Sequence, residues 1–76
     1  MMDIYRAERE AQDRMHKNPK WDKSFVLVGP GGVMECEWLD PYFGLFQIKG
    51  HEGAAMSKQV PPTCHVIMPD LNEDSK

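Results

Sequence analysis

The sequence predicts an α+β fold, with one N-terminal amphipathic helix packed on an antiparallel sheet of three to four strands. Three observations predict it. Ile4, Ala7, Ala11 and Met15 recur at steps of three, four and four, which places them on one helix face. Val33 to Trp38 alternates with the two-residue period of a strand, Met34, Cys36 and Trp38 to one side and Val33, Glu35 and Glu37 to the other. Gly29-Pro30-Gly31-Gly32 and Asp40-Pro41 cut the chain into pieces that suit tight turns.

The helix is expected over residues 3–17. Asp3 is the N-cap, because its carboxylate can accept from a free first-turn N–H. Glu10–Arg14 and Asp13–Lys17 are i,i+4 pairs in the favourable order. Arg14, His16 and Lys17 suit the negative end of the helix dipole. Asn18 is expected to take a left-handed cap, and Pro19 blocks continuation. A polar link follows, carrying Trp21 between Lys20 and Lys23.

Strands are expected at 25–28, 33–38, 43–49 and 63–68. Asp40-Pro41 favours a β-turn with proline at its second position. In the third strand Phe46 and Ile48 share one face, and Phe43 and Leu45 the other. Gly50 to Pro62 lacks periodicity and reads as a long connection, with a short helical turn around 54–58 and little protection from exchange. Residues 70–76 read as a polar, frayed tail.

Length bounds the rest. A chain of 76 residues makes one small domain, 1–76, and domains of this size bury little core. Apolar residues are 41% and charged residues 28%, which is ordinary globular composition. The net charge of −3 supports neither a nucleic-acid binder, which is usually basic, nor a DNA mimic, which is usually much more acidic. No apolar h-region follows Met1 to Asp3, and the longest clean apolar run is Phe25 to Val28. No membrane association is therefore expected, and the expected location is cytoplasmic.

The candidate chemistry is thin. GPGG follows a strand but lacks the GK[ST] ending and is followed by another strand, so it reads as a hairpin turn rather than a phosphate loop. Cys36, His51, Cys64 and His65 are zinc-ligand types, yet none lies in a CxxC or HxxxH spacing. Cys64 and His65 are neighbours on an expected strand, so they point to opposite faces. Buried structural cysteines are the plainer reading, and no cofactor is expected. Glu35 and Glu37 read as an outward polar face rather than paired catalytic carboxylates. A chain this short has little room for a closed, dry active site, so no enzymatic activity is expected.

Aromatic residues give the remaining signal. Trp21, Tyr42, Phe43 and Leu45 are the candidate partner-binding residues, because Trp and Tyr anchors are enriched at interfaces. One helix cannot cover both faces of a sheet, and an uncovered apolar patch usually marks an interaction surface. The expected function is a small non-enzymatic protein-binding module that docks on a larger macromolecule and inhibits or modulates it. In size, and in its α+β pattern without a catalytic signature, the chain has the general look of small accessory proteins from bacteriophages and mobile elements. A homodimer with Phe43 and Leu45 in or near the contact is expected as well. The alternative is a small nucleic-acid-binding domain, with zinc as an optional stabiliser and with Trp21, Tyr42 and Phe43 stacking on bases.

Overall fold

The computed structural model describes residues 1–70. Helix α1, Ile4–Lys17, precedes five strands: β1 Ser24–Gly29, β2 Gly32–Asp40, β3 Leu45–Ile48, β4 Ala54–Met56 and β5 His65–Ile67. They form one antiparallel sheet in the order β4-β3-β2-β1-β5. The fold is α+β as the sequence predicts, and its sheet has one strand more than the upper expectation.

Helix α1 forms where its caps and stripe place it. The Arg6 N–H donates to Asp3 Oδ1 at 2.8 Å, so the N-cap is the expected one. Ile4, Ala7 and Ala11 are buried, and Met15 packs against the same core. The Glu10–Arg14 and Asp13–Lys17 pairs both close at 3.1 Å. Arg14 also donates to the Pro69 carbonyl at 2.8 Å, tying the last helical turn to the chain beyond β5. The C-cap differs from expectation. Asn18 is extended, at φ −153° and ψ 101°, rather than left-handed. The proline that follows explains this, because its ring disfavours helical backbone at the residue before it.

The hairpin between β1 and β2 pairs Gly29 with Gly32 across Pro30 and Gly31. Gly29 stands where a Cβ would come within 2.8 Å of Cys64 Sγ, so the chain approaching β5 passes over it closely. The second connection is a turn over residues 41–44, and β3 starts at Leu45 rather than at residue 43. Phe43 N–H donates to the Asp40 carbonyl and Tyr42 N–H to Asp40 Oδ1, both at 3.1 Å. Pro41 is therefore at the second position of a β-turn, as its sequence suggests. Gly44 closes it at φ +67°.

Residues 50–62 hold more structure than their composition indicates. Ala54–Met56 pair with Leu45–Gln47 as edge strand β4, and Ser57–Gln59 form a single 3₁₀ turn. At the opposite edge, Met2 bridges Val66 and covers β5.

The core lies between α1 and one face of the sheet. Phe25, Leu27, Cys36, Trp38, Phe46 and Val66 supply the sheet side. Phe25 stacks on Trp38 with ring centroids 4.7 Å apart, and Phe46 meets both rings edge-on. The face assignment of Met34, Cys36 and Trp38, and of Phe46 and Ile48, is the predicted one.

Candidate functional site

The face of the sheet turned away from α1 carries Val26 and Val28 from β1, Glu35 and Glu37 from β2, Leu45 and Gln47 from β3, and Ile67 from β5. Strand alternation puts them there, since their neighbours Phe25, Leu27, Cys36, Trp38, Phe46 and Val66 are buried under the helix. No element of the described chain lies over this face. Ile67 and Val33 are exposed, and Val26, Val28 and Leu45 are half-buried by their neighbours within the sheet.

Cross-strand register orders these side chains into rows. Ile67, Val26 and Glu35 are successive partners across β5, β1 and β2. Ser24, Glu37, Gln47 and Ala54 make the next row. Asp40, Leu45 and Met56 lie in a third, beyond a bulge at Leu39 where β2 carries one residue more than β3.

A shallow groove of about 530 Å³ follows the first two rows, bounded by Val26, Ile67 and Pro69 on one side and Glu35, Glu37 and Gln47 on the other. Lys49 Nζ reaches Glu35 Oε1 at 3.5 Å, and both side chains remain largely exposed, at 79% and 70%. Glu37 has no ion-pair partner among the described residues. Asp22 Oδ1 accepts from both the backbone N–H and the hydroxyl of Ser24 at the end of the groove. These bonds hold its carboxyl below the ordinary aspartate range.

The four residues singled out by sequence do not come together. Trp21 is only 8% exposed and belongs to the core, so its ring is not offered to a partner or a base. Its flanking lysines read as a solvated segment, but the chain leaving α1 folds the indole inward. Tyr42 and Phe43 sit exposed at the tip of the β2–β3 turn, Phe43 at 74%. The Tyr42 hydroxyl donates to the Gln12 carbonyl at 3.4 Å, and Gln12 Nε2 donates to the Pro41 carbonyl at 3.1 Å, which fixes the turn to the helix. Leu45 begins β3 on the uncovered face. Phe43 is thus a turn residue, not the strand neighbour of Leu45 that alternation implied.

Sequence reading also passed over Ile67. Its signal was present in the alternation of Cys64 and Val66 against His65 and Ile67, of which the first two are buried and the last two exposed.

The metal-ligand types are dispersed. Among the described residues, no three of His, Cys, Asp and Glu gather into a cluster able to hold a metal. Cys36 and Cys64 are buried free thiols. Cys64 lies just ahead of β5, and β1 separates β5 from β2 in the sheet, so the two thiols stand at least about 10 Å apart at ordinary strand spacing, beyond disulfide reach. Burial pushes the Cys36 thiol up to about 11, so it is a packing group rather than a nucleophile. Cys64 and His65 face opposite ways, one buried and one exposed.

No protein-family model, no curated protein and no solved structure matches the chain. Among the described residues no helix is long and apolar enough to cross a membrane.

Proposed function

We propose that the protein is a non-enzymatic binding module that docks on a larger protein and inhibits or modulates it. The observation that carries this reading is the face of the five-stranded sheet that no element of the described residues covers, with Leu45 on it and Phe43 exposed in the turn that leads into β3. Apolar side chains left in water on a small domain are what a partner removes from water. The carboxylates on this face and the inward turn of Trp21 favour a protein over the phosphates of a nucleic acid. A homodimer through Phe43 and Leu45 belongs to the same reading, with a second copy in place of a different partner.

The test is affinity capture from the native source with three forms of the full chain. Wild type and Tyr5→Asp, which alters only the exposed helix surface, retain one protein in common. The double variant Phe43→Asp/Leu45→Asp loses it while melting at the wild-type temperature. Equal retention by all three overturns the reading. Retention of nucleic acid instead, weakening steeply with salt, would replace it with the nucleic-acid alternative.

A further inference from the structure

We infer that the groove on the uncovered sheet face takes a basic segment of a partner protein, anchored by an aliphatic side chain against Val26 and Ile67 with its Lys or Arg side chains on Glu35 and Glu37. The inference rests on the protein-binding reading and adds the chemistry of the partner.

The floor decides the anchor. Val26 and Ile67 are paired in register, and Pro69 continues the same apolar side of the groove. A volume of about 530 Å³ holds a few side chains, not a folded surface. The occupant is therefore an extended or single-turn segment presenting one or two apolar residues.

The rim decides the charge. Glu35 is the register partner of Val26, and Glu37 that of Ser24, so two carboxylates rise on the strand beside the apolar floor. They sit two residues apart on β2 and on the same face, a spacing that like charges tolerate because both are in water. Asp22, outside the groove itself, adds negative charge next to Ser24, from which it accepts two hydrogen bonds. Lys49 answers only Glu35, at 3.5 Å and largely exposed, and an exposed pair of this kind is weak and exchangeable. The groove is thus apolar below and net negative above. A cationic segment with an aliphatic foot complements both parts, whereas an acidic peptide or a phosphate backbone complements neither.

The same charges argue against a second copy at this corner. Two-fold pairing of the groove on itself would bring Glu35 and Glu37 toward their own symmetry mates, and like charges across an interface cost binding. Leu45 lies in the row beyond that of Glu37, where the Asp40 carboxylate is engaged by the Tyr42 N–H, so this restriction is weaker there.

A display library of random peptides, selected on the immobilised full-length chain, tests the inference. Selected peptides should be enriched in Lys and Arg around a Leu, Ile, Val or Met. Their affinity in solution should fall about tenfold for Glu35→Gln/Glu37→Gln, the loss of two exposed charge pairs, and again on raising salt. Ile67→Asp should abolish binding. Both Glu positions are exposed and the change is isosteric, so the fold survives it. Peptides without basic enrichment that still require Ile67 would overturn the charge assignment and leave the protein-binding reading intact. Peptides indifferent to Ile67→Asp, or no selected peptides at all, would overturn the groove as a peptide site. A solution dimer disrupted by Ile67→Asp would assign the groove to a second copy and overturn the inference as well.

Discussion

Trp38 shows how one side chain fixes a face. It is 1% exposed and lies against Phe25 and Phe46, joining β1, β2 and β3 through one aromatic cluster. Truncation of an aromatic this well packed removes its burial and leaves a cavity, so Trp38→Ala should cost about 3–5 kcal/mol. A domain of 76 residues has about 4–11 kcal/mol in total, so the variant should be close to unfolding at room temperature. Urea denaturation checks it, with the exposed Val33→Ala expected within about 0.5 kcal/mol of wild type. Trp38 was legible because its neighbours two and four residues earlier, Cys36 and Met34, are apolar. Trp21 was not, because no periodic partner stands near it and its flanks are lysines; only the path of the chain off α1 decides that its ring turns inward. Asn18 is a milder case, in which a cap preference yielded to the restriction imposed by Pro19.

Elements with an internal period were readable, and elements held by a neighbour were not. Helix α1 and strands β1 and β2 carry their own patterns and fall within two residues of their expected ends. Strand β4 is Ala54–Met56, too short and too small-sided to announce itself, and it exists because β3 offers it a free edge. Its position depends on Gly44. The Gly44 carbonyl accepts from the Ser57 N–H at 2.7 Å, and the Ser57 hydroxyl donates to Glu8 Oε2 at 3.0 Å, so turn, 3₁₀ segment and helix meet there. A Cβ at Gly44 would collide with both Ser57 Oγ and Glu8 Oε2, and φ at +67° disfavours any other residue. Gly44→Ala should therefore cost about 2 kcal/mol or more, combining backbone strain with a disrupted, partly buried hydrogen bond. Gly31→Ala is the control, since nothing lies within 4 Å of its Cβ position. Thermal melting of the two variants separates a specific role for Gly44 from a general intolerance of glycine replacement.

The described residues form two layers, one helix on one face of the sheet, and that asymmetry governs how the molecule meets others. The sequence made an uncovered face legible through Leu45, but left open which alternating set of residues 25–28 joins it and what else lies there, because the register that sets Ile67 beside Val26 and Glu35 joins residues far apart in the chain. At one end of this face Phe43 is 74% exposed, and Leu45 is followed across the sheet by Met56. Removing such side chains from water yields about 1.5–3 kcal/mol for each one fully buried, a large share of the stability of so small a domain. The simplest way to cover them is two-fold pairing with a second copy; Glu35 and Glu37 lie outside the row of Leu45 and Met56, and the Asp40 carboxylate in it already accepts from the Tyr42 N–H. Sedimentation should then show a dimer at high protein concentration, and the melting temperature should rise with concentration, because association stabilises by mass action. Phe43→Asp and Leu45→Asp should each abolish the rise, while Glu35→Gln/Glu37→Gln should leave it unchanged. A monomer whose melting temperature does not move with concentration would refute the dimer and leave Phe43 and Leu45 to the larger partner, whose retention the same two substitutions would still abolish.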